Sequence, residues 1–410
     1  MGKHKRRTYI MKKLKFGIIG TCCRGELGDY AHQAANGVEI VAGADIYEEQ
    51  RRSFAERMKA KQAVVNIYAD YREMIEKEKL DGVFITSPDF CHEEQACFAL
   101  RRKTAVYLEK PIAISIEGAD RILRTAKENR THLMLGHNMR YMEFTNRMRE
   151  IILSGMIGEV KAIWCRHFVS YGGDAYFRDW HADRRNTCSL LLQKGAHDID
   201  IIHWLANSRS VKVNGIGSLS VYGSIPRRPA GCERLDTLTV QGVWSNSHWP
   251  PEAQKDYYPE VNNEDLNMIN LQLANGVQAC YLQCHFTPDT CRNYTVIGTR
   301  GRLENYGDYG KDCSIQVWTR RTDRFQLEGD MTYRMASPED QPHGGADPKI
   351  VQGFIDLLRH GTPPESTPQG ARYAVAAGVR GAESIRSGGM MLDIPALPDD
   401  LENYDFAALQ

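Results

Sequence analysis

Thr104-Ala105-Val106-Tyr107-Leu108-Glu109-Lys110-Pro111 is the stretch that decides the fold. Its apolar part shows no polar alternation, so it reads as a strand buried on both faces, as a parallel sheet requires. Glu109 and Lys110 then stand at the carboxyl end of that strand, the edge where open α/β sheets bind ligands. The charged pair is therefore a candidate for a reacting centre.

Around this strand, 105–108, further short apolar runs at 15–19, 39–44, 82–86 and 132–135 alternate with helix-period segments at 48–59, 71–78, 93–102 and 116–129. That alternation implies βαβ units and a doubly wound parallel sheet. Gly17-Ile18-Ile19-Gly20-Thr21-Cys22-Cys23-Arg24-Gly25 follows the first strand and precedes an expected helix. A glycine turn there lets backbone N–H groups meet a pyrophosphate. Gly20 and Gly25 match the first and third glycines of the dinucleotide fingerprint, whereas Cys22 stands where the second belongs. Asp45 closes the second strand, 45 − 20 = 25 residues after Gly20. A carboxylate there accepts both hydroxyls of a ribose diol and repels a 2′-phosphate, which favours NAD over NADP. It can also cap the helix that begins near Glu48. Thr86-Ser87-Pro88 ends the next strand on the same edge, with His92 close behind.

Beyond a connecting helix at 144–153 the texture changes. Runs at 160–170, 211–221, 235–243, 267–273, 278–286, 292–297 and 314–319 read as strands of an antiparallel sheet, with one strong helix at 195–206. Helices at 348–359 and 369–387 are expected to pack back on the sheet or on the first domain. A chain of 410 residues exceeds what one core usually holds. Two domains are expected, 12–140 and 141–395, with tails at 1–11 and 396–410.

Lys plus Arg and Asp plus Glu both number 52, so the formal charge is zero. That balance argues against nucleic acid or a charged membrane as the main partner. No run approaches the roughly 20 apolar residues of a membrane span. The basic start, Met1-Gly2-Lys3-His4-Lys5-Arg6-Arg7, lacks a following apolar region and is expected to be a leader rather than an export signal. Eleven scattered cysteines fit reduced thiols in cytoplasm.

The ordered set of the glycine turn, Asp45, Thr86-Ser87-Pro88 with His92, Glu109-Lys110-Pro111 and Lys194-Gly195-Ala196-His197-Asp198-Ile199-Asp200 resembles the glucose-fructose oxidoreductase, inositol dehydrogenase and MocA family. The resemblance covers nearly the whole chain, including Tyr294-Thr295-Val296-Ile297-Gly298-Thr299-Arg300-Gly301. It implies an N-terminal Rossmann domain, a C-terminal α+β domain with an open, largely antiparallel sheet, and a substrate cleft between them. It also implies an NAD-dependent oxidation of a secondary hydroxyl of a sugar, cyclitol or glycoside. A homo-oligomer, dimer or tetramer, formed through the open sheet is expected.

Lys110 and His197 are the expected catalytic residues, because alcohol oxidation takes a proton from oxygen and a hydride from carbon, and a neutral amine or imidazole suits the proton. The expected cofactor shell takes Gly20, Cys22, Cys23, Arg24 and Gly25 from the turn, and Asp45 from the second strand. Ser87, Pro88, His92, Glu109, Lys110 and Asn138 complete it on the remaining strand ends. Arg140, Trp180, His181, Arg184, Gln193 and His197 are candidates for the substrate, since a sugar presents C–H faces to an indole and hydroxyls to Arg, His and Gln. Many family members carry aspartate where this chain has Gln193, so charge support for His197 is expected from Asp200, one turn away. Cys280, Cys284, His285 and Cys291 invite a zinc reading, but strand alternation turns His285 away from the two cysteines, and no metal is expected. Two alternatives stay open: an NAD-recycling glycosidase working through a 3-keto intermediate, and a non-catalytic NAD- and sugar-binding regulator.

Overall fold

The computed structural model describes residues 13–234, 244–335 and 341–408; the strand expected at 235–243 and the leader at 1–11 lie outside them. The first sheet comprises β1 (Leu14–Ile19), β2 (Val38–Ala44), β3 (Asn66–Tyr68), β4 (Gly82–Ile85), β5 (Ala105–Leu108) and β6 (Leu133–Leu135). All pairs are parallel and the order is β3-β2-β1-β4-β5-β6, that of a Rossmann sheet. β3 was not expected: it is a three-residue edge strand, and its sequence carries too little burial to stand out.

Helices α1 (Glu48–Ala60), α2 (Tyr71–Lys77), α3 (His92–Arg101) and α4 (Ile116–Asn129) cross between these strands. α4 starts where Ser115 Oγ accepts the Gly118 N–H at 3.0 Å, a side-chain cap, and buries Ile116, Ala119, Ile122, Leu123 and Ala126 along one stripe. The helix expected after the glycine turn forms as 3-10 turns over Cys23–Ala31. Close packing on β1 fits this: a Cβ at Gly28 would lie 2.4 Å from Ile18 Cδ1.

The second sheet has nine strands in the order β14-β13-β12-β11-β7-β10-β9-β8-β15. They are β7 (Val160–Phe168), β8 (Ser210–Ser218), β9 (Leu266–Leu273), β10 (Gln278–Cys284), β11 (Cys291–Gly298), β12 (Arg302–Tyr306), β13 (Ser314–Trp318), β14 (Met331–Arg334) and β15 (Leu392–Asp393). Only β7 and β10 run parallel; the other pairs are antiparallel. Between the domains' sheets run α5 (Glu143–Leu153), the short α6 (Arg184–Thr187) and α7 (Leu190–Ala206). α7 begins a turn and a half earlier than the expected 195–206, because Ser189 Oγ accepts the Leu192 N–H at 2.9 Å and caps it there. That extension matters, for it puts Gln193, Lys194 and His197 on one helix.

Of the two late helices, α8 (Ala346–His360) lies on the first sheet, where Phe354 packs 5.5 Å from both Phe16 and Phe84. α9 (Pro368–Arg386) packs on α7 and β8 and also touches α4. Residues 396–408, within the expected tail, pack on the first domain. Leu397, Leu401 and Phe406 are buried, Lys127 pairs with Asp400 at 2.7 Å, and the Gln369 amide donates to the Tyr404 carbonyl at 2.8 Å. Apolar burial outweighs the entropy of ordering this segment. Among the described residues, no helix is long and apolar enough to cross a membrane.

Candidate active site

The glycine turn joins β1 to the 3-10 turns with little room to vary. Gly20 has φ +82°, and a Cβ there would lie 2.8 Å from the Ser87 nitrogen, so only glycine suits it. A Cβ at Gly25 would lie 2.3 Å from the Gly20 oxygen. Thr86 Oγ1 donates to that same oxygen at 2.7 Å, tying the turn to the end of β4. Asp45 reaches back from the end of β2: its Oδ2 accepts the Thr21 N–H at 2.9 Å and its Oδ1 the Tyr47 N–H at 3.0 Å. The carboxylate thus stands beside the turn, where a ribose would lie, and keeps acceptor capacity on both oxygens. This cradle fits a dinucleotide despite Cys22, whose backbone is extended.

Several residues expected at the cofactor are committed elsewhere. Arg24 forms ion pairs at 2.8 Å with both Glu109 and Asp347. Asn138 Nδ2 donates to Asp347 at 2.9 Å, and His343 Nδ1 lies 3.0 Å from it. Burial opposes the Asp347 charge, but His343 and Arg24 hold its carboxyl well below the usual range. Arg24, Glu109 and Asn138, expected in the cofactor shell, thus also form a polar network around Asp347 at the start of α8. His92 is buried, with Nδ1 2.7 Å from the Pro111 carbonyl and Nε2 2.9 Å from that of Ser87. It bridges two strand-end loops, which positions the ligand edge of the sheet beside the expected cofactor. Ser87 Oγ donates to Gln95 at 2.5 Å, and Pro88 precedes the turn into α3.

The other wall is α7, whose residues are all buried except Trp204. Lys110 Nζ donates to the Gln193 carbonyl at 2.9 Å, bringing the Glu109-Lys110-Pro111 loop against this helix. Burial, reinforced by the neighbouring Lys194 ammonium, pulls Lys110 down to about 8. His197 sits one turn along, its ring edge-on to His137 at 5.8 Å. Burial, then Lys110 and His137, hold its pKa well below the usual histidine range, so the imidazole is neutral. His197 Nδ1 and Gln193 Oε1 are buried without a hydrogen-bond partner in the protein.

Asp200 does not support His197 as expected. It takes a bidentate pair from Arg140 at 2.7 Å on both oxygens, and His137 Nδ1 lies 3.3 Å away. Arg140, expected at the substrate, gives its third contact to the Glu365 carbonyl at 2.7 Å. Its planar fork matches a carboxylate better than any hydroxyl, which explains the choice. Asp198, pointing the other way, meets His167, Tyr281, Tyr294 and Arg292.

Trp180 and His181 stack with ring centroids 3.6 Å apart. Tyr176 meets the edge of His181 at 5.0 Å, and Tyr171 lies 6.2 Å beyond Tyr176. These rings line the approach to Lys194, whose ammonium donates to the Tyr171 hydroxyl at 3.1 Å. Arg184 is exposed and bonded to the Asn262 carbonyl. Lys194 and Asp347 were missed. A lysine placed between Leu190-Leu191-Leu192 and Ile199 in a buried helix was a legible signal for the first; the second sits 323 residues from Arg24 in sequence and offered none.

A parallel sheet with a nucleotide cradle, a half-buried lysine at its edge and a neutral imidazole on the helix facing it define an NAD-binding oxidoreductase. The chain belongs to the Gfo/Idh/MocA oxidoreductase family. Residues 14–137 match its NAD-binding Rossmann fold and residues 149–392 its C-terminal alpha/beta domain. YteT of Bacillus subtilis, named as an oxidoreductase, is 24% identical over 355 residues, covering 78% of this chain and 80% of that protein. Inositol 2-dehydrogenase of Salmonella typhimurium is 28% identical over 208 residues, but the match spans only 49% of this chain and 57% of the relative. Among solved structures, a levoglucosan dehydrogenase in complex with NADH and L-sorbose superposes with TM-score 0.76 at 18% identity, covering 94% of this chain and all of that one. Myo-inositol 2-dehydrogenase from Lactobacillus plantarum gives TM-score 0.69 at 20% identity over 94% of this chain and all of that one. At such identities the structural likeness speaks for the fold.

Proposed function

We propose that this enzyme oxidises a secondary hydroxyl of a sugar or cyclitol, with Lys110 and His197 at the reacting oxygen. The observation that carries the reading is the convergence of Lys110, Gln193 and His197, with Gln193 Oε1 and His197 Nδ1 buried and lacking protein partners. Each such atom costs about 1–3 kcal/mol unless a ligand satisfies it. A polyol supplies hydroxyls that donate and accept at once, which suits an amide oxygen, an imidazole and an amine together.

NAD, when bound, supplies the acceptor for the hydride leaving carbon. The chain's own residues handle the proton: a neutral His197, or Lys110 in its amine form, takes it from the hydroxyl as the C–H bond breaks. Asp45 holds the adenosine ribose and sets the preference for NAD. The inositol and levoglucosan dehydrogenases named above support a cyclic polyol as substrate class.

The test is to incubate the purified protein with NAD and a panel of sugars, cyclitols and aryl glycosides, following NADH absorbance and aglycone release together. Net NADH with a ketone product is expected. Aglycone release with no net NADH would replace this reading by redox-neutral deglycosylation.

A further inference from the structure

Lys194 distinguishes this cleft from a site that reads hydroxyls alone. It is 9% exposed and lies three residues before His197, on the same face of α7. Its ammonium touches the Tyr171 hydroxyl and lies 5.2 and 5.0 Å from the ring centroids of Tyr171 and Tyr176. Among the described residues, no carboxylate lies within ion-pair distance of either Lys194 or Lys110. The two carboxylates whose field reaches Lys194 are Asp198 and Asp308. Both pair with Arg292, at 3.1 and 3.5 Å, and Asp198 serves His167 and two tyrosines besides.

A buried cation without a counter-ion is costly, several kcal/mol even after relaxation. Leucine or methionine would fill the same space without that cost. Burial, with Arg292 next in weight, pulls Lys194 down to about 7, the sign of an ammonium for which the protein itself provides too little negative charge. We propose that the substrate carries a carboxylate, as a uronate or aldonate does, and that Lys194 and the Tyr171 hydroxyl bind it. The proposal rests on the sugar-dehydrogenase reading above and narrows its substrate to acidic sugars.

The donor set favours a carboxylate over a phosphoryl group. Tyr171 accepts from Lys194 and keeps its own O–H to donate, so ammonium and phenol together match two oxygens of a monoanion. A phosphate dianion recruits arginine forks. The nearby candidate, Arg292, is committed to Asp198 and Asp308.

The test uses enzyme loaded with NADH and calorimetric titration of matched pairs: glucuronate with glucose, galacturonate with galactose, gluconate with glucitol, and glucose 6-phosphate as the phosphoryl arm. At least one acid should bind about tenfold or more tightly than its neutral partner, roughly one hydrogen-bonded charge's worth. Lys194→Met should abolish that preference while NADH affinity holds, and Lys194→Arg should keep part of it. The proposal fails if no acid outbinds its neutral partner, or if the preference survives in Lys194→Met. Tighter binding of glucose 6-phosphate than of any carboxylate would overturn the choice of anion. NAD reduction by a neutral sugar without acid preference would sink this inference and leave the dehydrogenase reading standing. Acid binding with no NAD reduction by any sugar would do the reverse.

Discussion

Two sets of polar side chains on α7 fare in opposite ways. In one, Gln193, Lys194 and His197 carry a partnerless amide oxygen, an ammonium without a counter-ion and a partnerless imidazole nitrogen. In the other, Asp198 and Asp200, each within a turn of those residues, have every oxygen engaged, by Arg292, His167 and two tyrosines in one case and by Arg140 and His137 in the other. All five are buried, the first three at 7–9% exposure and the two aspartates at 0–2%. The difference in satisfaction separates residues that hold the helix in place from residues that wait for a ligand.

The contrast breaks most visibly at Lys110. Lys110→Met should lower turnover about 10²- to 10⁴-fold, the usual span for loss of a general base, while NAD titration shows little change. In the wild type, the oxidation rate should climb with pH through a limb near 8, since the amine must be deprotonated and burial brings its pKa to about 8. Near-full turnover of the variant on the true substrate would remove Lys110 from the chemistry.

Asp200→Asn probes the satisfied set. Removing the charge strands the Arg140 guanidinium in the interior, and urea unfolding should report a loss of about 3–5 kcal/mol. Burial raises the Asp200 carboxyl, but Arg140 and then His137 outweigh it and hold its pKa far below the unfolded value. Its contribution is therefore complete above the unfolded pKa of about 3.9 and disappears as pH falls toward the folded one. If the variant unfolds at the wild-type urea concentration, the pair is not structural.

Gln193→Asp sharpens the other set. An added anion favours imidazolium, so the His197 pKa should rise and its limb of the rate profile should move to higher pH. An unmoved profile, with folding intact, means that residue 193 does not act on His197. The smallest effect is expected at the far end of the cleft, where Asp45→Ala should narrow the preference for NAD over NADP in parallel titrations; an unchanged ratio would release Asp45 from the ribose.

The Rossmann half of the fold was legible because its signals are local. Asp45, the glycine turn and Glu109-Lys110-Pro111 each follow directly on an apolar run whose end faces the ligand edge. The partnerships were not legible. Arg24 with Asp347, and Arg140 with Asp200, join segments 323 and 60 residues apart, and no periodicity marks which charges meet. For the same reason Asp200 looked like a partner of His197, since helical spacing permits it, until a better-matched guanidinium took both oxygens. α8 packs on the first sheet because Phe354 completes a cluster with Phe16, Phe84 and Tyr107. That placement depends on shape rather than on sequence order.

The central claim is that the unsatisfied polar groups of α7 exist for ligand chemistry, and His197→Leu tests it most directly when thermal unfolding and turnover are measured on the same preparation. Leucine removes a buried imidazole nitrogen that has no partner. The melting temperature should hold or rise, because apolar burial replaces an unsatisfied polar group, while turnover falls at least about 10²-fold. A variant that melts well below the wild type yet turns over normally would contradict the account.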